Sequence, residues 1–345
     1  MQREAYYDNL KYVLITLVVV GHFALTYLHG AGSKPVTIFK DWIWLFHMPA
    51  FLFVSGMFAK GLYKPERGLK VNSICFYLVM YFLFYCFITA IMAIYEDPSF
   101  DPFIVYRIPW YFLALAVLGA LTPLIYQLKP GWKLVIPFSI GISVAAGFST
   151  GFTSFLSMGR IINFAPFYFA GYFLDRDFFK TCIKKVRSNP VLLGACILFL
   201  VAVFEVLWHA PKEYVAVANN LSMAYSSYEG CGELPLYVIA IMRLLWFPLA
   251  GAMTFAVAAL VPMGKTFFTE LGQRTLQVYI LHPLLYLPIR GLDIIPNYVA
   301  PYIVHDGIFT LIAAVVLTFV IAYPKFPARL LDKLHRSIRL DRNDA

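Results

Sequence analysis

Charged side chains are scarce in this sequence of 345 residues: Asp, Glu, Lys and Arg together make up 14%, against 61% hydrophobic residues. With a mean hydropathy of +0.72, the chain has too little polar surface to cover a water-soluble fold. Two soluble domains, which the length alone would allow, are therefore excluded. The five cysteines, Cys75, Cys86, Cys182, Cys196 and Cys231, show no CxxC spacing, which argues against a disulfide framework or a zinc site. No GxSxG elbow surrounds Ser55, and no repeat at solenoid or transporter spacing is visible. The net charge of +9 invites a nucleic-acid reading, but no basic patch is interleaved with aromatics.

What the chain has in abundance is apolar runs. They predict an all-α fold, a polytopic membrane helix bundle of about ten spans near 9–28, 42–59, 72–95, 108–126, 133–148, 161–175, 190–208, 235–260, 276–290 and 307–323. The fifth, sixth and ninth are short of the ~20 residues that a spanning helix needs. The first run is interrupted by Gly21 and His22 and followed by many more spans, so it reads as an uncleaved helix rather than a signal peptide. Of the 28 lysines and arginines, 21 fall in the alternate segments that an N-in, C-in topology places inside, and six fall outside. That asymmetry fixes the orientation by the positive-inside rule. Residues 1–325 form the membrane domain. Residues 326–345 form a basic, amphipathic cytoplasmic tail suited to the inner membrane surface and its lipid.

Few ionisable groups remain inside the spans, and each is a candidate for function. In KYVLITLVVVGH, Lys11 and His22 lie eleven residues apart. Eleven helical steps return to nearly the same face roughly 16 Å further along, about half of a ~30 Å hydrocarbon core. A lysine at the inner surface thus stands over a histidine at mid-bilayer. A neutral imidazole there serves as a general base or hydrogen-bonds a neighbouring helix and only holds the packing. Lys11 either snorkels to the interface or joins Arg67 and Lys70, one turn apart before the third span, in an inner site for phosphate groups.

His47, in FHMPAF, opens the second span with Pro49 close behind, as suits a helix N-terminus. Ser55 is a weak candidate nucleophile, and the Ser55-Gly56 pair allows close helix approach. Arg243, inside the eighth span, needs a partner: Glu205, a bound anion or a substrate carbonyl, with Trp246 placed to stack on it. His282 precedes Pro283, which frees a backbone carbonyl and marks a cavity wall. The segment 209–234 reads as the longest outer loop. Its Tyr214, Tyr225, Tyr228, Asn219 and Asn220 suit a sugar-like acceptor.

Taken together, DNLKYVLITLVVVGH, FHMPAFLFVSGMF, WYFLALAVLGALTPLIY and LQVYILHPLL resemble the membrane acyltransferase family 3. That family includes polysaccharide O-acetyltransferases, fucose 4-O-acetylase-like proteins and succinyltransferases of periplasmic glucans. The resemblance covers about residues 6–325. Lys11 and His22 match the family's basic residue, ten residues and histidine. Arg67 and Lys70 match a cationic pair that is usually two arginines, and the lysine weakens bidentate phosphate recognition. Trp110 matches a tryptophan motif, here followed by tyrosine, and His282 matches a further position.

The resemblance implies an O-acyltransferase of the bacterial cytoplasmic membrane that takes acetyl-CoA, or another acyl-CoA, as donor and a cell-surface or lipid-linked glycan as acceptor. It implies no permanently bound cofactor and no nucleic acid. Lys11, Arg67 and Lys70 are expected to hold the donor's phosphates and His22 to act as base. Arg243 or His282 is expected to stabilise the oxyanion, and His47, Ser55, Trp110, Tyr225 and Tyr228 to line the substrate site. The competing readings are a secondary transporter or flippase for a sugar-containing lipid, and a signalling or scaffold protein.

Overall fold

The structure is a computed structural model, and it describes residues 4–27, 34–104, 108–151, 155–224, 226–299 and 306–338. It is a helical bundle. In chain order the helices are α1 (Ala5–Tyr27), α2 (Lys34–Trp44), α3 (His47–Ala59), α4 (Val71–Met92), α5 (Trp110–Ala120), α6 (Thr122–Leu128), α7 (Trp132–Ala146) and α8 (Met158–Phe173). They continue with α9 (Arg176–Ser188), α10 (Pro190–His209), α11 (Lys212–Met223), α12 (Leu236–Leu260), α13 (Thr275–Gly291), α14 (Asp306–Ala322) and α15 (Phe326–Ser337). One two-stranded antiparallel hairpin, β1 (Tyr63–Lys64) and β2 (Gly68–Leu69), separates α3 from α4.

Each expected span meets a helix, but length does not support a count of ten crossings. Among the described residues six helices or helix pairs are long and apolar enough to cross a bilayer, or up to seven if the bent pair α14 and α15 is one span. The remaining apolar helices, α7, α8 and α13, have 15, 16 and 17 residues. All three carry internal prolines: Pro137, Pro166, and Pro283 with Pro288. Shortened helices of this kind are tolerated where protein rather than lipid surrounds them, and α8 is buried along almost its whole length.

α1 lies at the centre, with Leu14, Val19 and Ala24 fully buried and α2, α3, α13 and α14 packed around it. α10 is its opposite, apolar but turned outward at Val191, Leu198 and Val206. Small residues set the closest crossings. A Cβ on Gly56 would lie 1.9 Å from the Tyr168 carbonyl oxygen, and one on Gly171 would lie 1.9 Å from that of Phe53, so α3 and α8 touch backbone to backbone.

The inner basic residues also close helix ends. Arg187 donates to the carbonyls of Ala259 and Val261 at the end of α12 (2.8 and 2.9 Å). Arg274 does the same at Ala322 and Tyr323 after α14 (3.0 and 2.7 Å). Cations placed there meet the negative end of the helix dipole.

The segment 209–234 is not an open loop. Its first half is α11, with Val217, Leu221 and Ser222 buried, and the amide of Asn220 donates to the Cys231 carbonyl (2.9 Å). Apolar residues at 217 and 221, one turn apart, give that helix a face to bury.

Candidate functional site: two joined cavities along the first helix

Lys11, Ile15, Val18, His22 and Leu25 follow one another at helical spacings of three and four, forming one stripe of α1. That stripe walls two cavities. The inner one, about 300 Å³, is lined by Lys11, Ile15, Ser55, Tyr77, Tyr111 and Tyr168, among others. The outer one, about 350 Å³, is lined by His22, His47, Trp110, Arg160, Tyr286 and Arg290, among others. Val18, Met48 and Tyr279 line both, so the two spaces meet at a waist. The Tyr279 hydroxyl donates to the Ile108 carbonyl and holds that ring in place.

His22 does not act alone. Its Nδ1 lies 2.9 Å from Nε2 of His282, and Nδ1 of His282 lies 2.9 Å from the Val278 carbonyl oxygen. A carbonyl can only accept, so Nδ1 of His282 carries its proton. In neutral rings Nε2 of His282 then accepts, Nδ1 of His22 donates, and the lone pair of His22 falls on Nε2. One backbone carbonyl on α13 thereby sets the tautomer of a histidine 260 positions earlier in the chain. The Tyr286 ring, parallel to His22 within 5° at 5.0 Å, braces the imidazole from α13 as well. His282 is completely buried and lines neither cavity, so its place is behind His22.

His47 is oriented in the same manner, its Nδ1 donating to the Ile43 carbonyl at 3.0 Å. The turn between α2 and α3 that allows this is pinned by the Trp246 indole, which donates to the Leu45 carbonyl at 2.9 Å. Arg160 stands 5.3 Å over the Trp110 ring and donates from Nε to the Met223 carbonyl at 3.1 Å. Both Arg160 and Arg290 lie within electrostatic reach of His22.

Several expected site residues lie elsewhere. Arg243 is fully buried, donates to the Leu221 carbonyl at 2.7 Å and lies 5.4 Å from the Trp246 ring. It lines neither cavity, and Glu205 pairs instead with the exposed His209 (3.4 Å). Arg243 and Arg160 together anchor the last carbonyls of α11, whose Ser222 and Met223 close the outer cavity. Tyr228 is also fully buried, its hydroxyl donating to the Val144 carbonyl at 2.9 Å. Burial pushes that phenol's pKa up, against the opposing pull of Arg243. It supports the fold and lines neither cavity. Tyr225 lies outside the described residues.

At the inner end, Arg67 and Lys70 are exposed on and just after the β1–β2 hairpin and line neither cavity. Lys11 does line the inner one, paired with Asp8 at 2.7 Å. The cation it shares a neighbour with is Arg176: Lys11 Nζ and the Arg176 guanidinium lie 5.9 and 5.1 Å from the Phe58 ring. Ser55 is hydrogen-bonded to the Tyr111 hydroxyl (2.7 Å) and faces the inner cavity, on the far side of the waist from His22.

Arg160, Arg290 and Arg176 are the residues that sequence reasoning passed over. Each sits at a helix end, where interface and topology already explain an arginine. Only Arg290 carried a signal, since His282, Tyr286 and Arg290 recur every fourth residue of α13.

The sequence profile of a family described as an acyltransferase domain matches residues 4–325, nearly the whole chain. The chain belongs to this acyltransferase family. It is also similar to nodulation protein NolL of Mesorhizobium japonicum, 34% identical over 88 residues, which are 24% of this chain and 23% of that protein. The match thus spans under a quarter of that relative's length. No solved structure matches significantly. Family membership and the apolar helices together describe a multi-pass membrane protein of an acyltransferase family.

Proposed function

We propose that the protein is an O-acyltransferase of the bacterial cytoplasmic membrane that moves an acetyl or similarly short acyl group from acyl-CoA to a hydroxyl of a cell-surface or lipid-linked glycan. The observation that carries this reading is the joined pair of cavities along α1. The inner one is largely apolar, with Lys11 in its lining and Arg176 sharing the Phe58 ring with it. The outer one holds a base with an oriented lone pair beside two guanidinium groups.

In this scheme Lys11 and Arg176 hold phosphates of coenzyme A, and Phe58 between them offers a face to its adenine. The pantetheine arm occupies the inner cavity and brings the thioester to the waist. His22 Nε2 takes the proton of the acceptor hydroxyl as that oxygen bonds to the thioester carbon. The resulting oxyanion is stabilised by Arg160, held by Met223 and Trp110 and needing no rearrangement at that moment. Collapse breaks the carbon–sulfur bond, and the thiolate leaves with the proton from His22. His282 keeps the base in its tautomer and stabilises the imidazolium, as an orienting group behind a histidine does. His47 hydrogen-bonds the acceptor.

The experiment is release of coenzyme A thiol from acetyl-CoA by the purified protein, with and without a glycan acceptor, compared with His22→Asn. Acyl transfer that survives that substitution at the wild-type rate removes the assignment.

A further inference from the structure

Away from both cavities, and sharing no lining residue with either, a groove of about 470 Å³ lies where α3, α7, α8, α9 and α12 meet. Phe53, Phe167, Phe179 and Phe255 give it aromatic walls, and Ile136 and Ile140 line the α7 side. Its one side-chain hydroxyl, that of Thr254, already donates to the Ala250 carbonyl at 2.7 Å. Thr254 and Phe255 lie within two turns of the inner end of α12. Phe178 and Pro248 in the lining are exposed, so the groove opens on the bilayer. Its size is that of a ligand site, and the molecules it faces are lipids.

Two of its walls carry a lysine. Lys133, Ile136 and Ile140 follow one another at steps of three and four along α7, and Phe178, Cys182 and Lys185 at steps of four and three along α9. Residues at those steps share a helix face, so both lysines stand on the faces that form the groove. Both are exposed, and neither is in an ion pair among the described residues. Three other cations of α9 are engaged: Lys180 with Glu4 at 2.5 Å, Arg187 with the carbonyls that end α12, and Arg176 over the Phe58 ring. The acids of α9, Asp177 and the capping Asp175, sit at its start, eight or more residues before Lys185, and α7 has none. The positive-inside rule accounts for lysines on this side of the membrane, but not for their place on two faces of one groove.

We infer that this groove binds an anionic phospholipid of the inner leaflet, with one acyl chain among its rings and the phosphate meeting Lys133 and Lys185. The chain gains by leaving a mixed lipid environment for a fitted apolar wall, and the ammonium groups select for net negative charge on the headgroup. The inference is independent of the acyltransferase reading, because the groove is separate from His22 and its cavity.

The test is lipid binding to the full-length protein in detergent, followed by native mass spectrometry, with phosphatidylglycerol and phosphatidylcholine of identical acyl chains. The first phosphatidylglycerol should bind tenfold or more tighter than the first phosphatidylcholine. Gly251 lines the groove, and a Cβ there meets nothing within 4 Å, so Gly251→Leu fills the space without displacing backbone. It should weaken the first binding event of both lipids tenfold or more. Lys133→Gln combined with Lys185→Gln should cut the preference to less than twofold and leave phosphatidylcholine binding as in the wild type. Both lysines are exposed, so this variant tests the site even where Gly251→Leu lowers stability. Affinities that Gly251→Leu leaves intact, or a preference that survives loss of both lysines, overturn the inference. So does displacement of phosphatidylglycerol by undecaprenyl phosphate at lower concentration, which would make the occupant a lipid carrier.

Discussion

The outer and inner cavities share the waist at Val18, Met48 and Tyr279, yet they are built on opposite principles. The outer one gathers two imidazoles and two guanidinium groups from α1, α3, α8 and α13, with His22, His47 and Arg160 each tied to a carbonyl or a ring. The inner one is walled by aliphatic and aromatic side chains, with Lys11 as its one cation among the described residues. Polar groups buried in a membrane protein are costly and are by default candidates for function, so the proposed chemistry is placed at the outer set. An apolar wall binds without reacting. In the proposed scheme turnover belongs to the outer cavity and donor affinity to the inner one, and substitutions on either side of the waist test that division.

The largest effect is expected at His22. His22→Asn should lower kcat by ~10² to 10⁴, the usual worth of a positioned acid–base group. It should leave coenzyme A affinity within twofold, measured by isothermal titration. A parallel loss of donor binding would mean that the two cavities are one functional unit. Arg160→Gln should follow, with a fall of ~10² to 10³ in kcat for every acceptor, as for a lost oxyanion donor. An effect confined to KM would move Arg160 from catalysis to binding.

His282→Gln comes next, at about 10- to 100-fold, the cost typical of losing the group that orients a histidine. Its signature is a displaced pH–rate profile with unchanged thermal stability. A merely structural histidine would lower the stability and leave the profile in place.

On the inner side, Lys11→Ala and Arg176→Ala should each raise the KM for acetyl-CoA about tenfold, since charge-assisted contacts are worth ~1.5–3 kcal/mol. The wild type should show the stronger salt dependence, and kcat should hold. Arg67→Ala with Lys70→Ala should change it less, because both side chains are exposed and away from the cavity lining. A loss as large as that of Lys11→Ala would return the phosphate site to the hairpin. Smallest of all is Tyr228→Phe, which should leave turnover unchanged and cost about 1 kcal/mol of stability for one hydrogen bond, read as a small drop in Tm.

Residues whose placement follows from position along one helix were legible in the sequence. The eleven-residue step from Lys11 to His22 fixes a common face, and the structure uses that face as the wall of both cavities. Gly56 announced a close helix crossing, and Gly56 and Gly171 make one. The Pro49 signal placed the start of α3 beside His47. Arg243 misled because an intramembrane arginine reads the same whether it faces a substrate or the backbone of a neighbouring helix. Tyr228 misled because a polar segment between spans reads as an exposed loop, although its first half folds into α11 and covers the cavity.

The sequence by itself determined that this chain is a helical membrane protein, where its apolar helices lie, and that a lysine and a histidine share one stripe of the first of them. These are consequences of local geometry, since 3.6 residues per turn and the cost of charge in lipid act within a single segment. Only the tertiary structure decided that His282 stands behind His22, that Arg160 and Arg290 close on the same cavity, and that Arg243 turns away from it. Those relations join α1 to residues from about 140 to 270 positions later, and they depend on which faces of α8, α12 and α13 pack inward. No periodicity within one helix encodes that choice. It is made by the packing of all the helices together, with Gly56, Gly171 and Gly272 setting how closely their backbones meet.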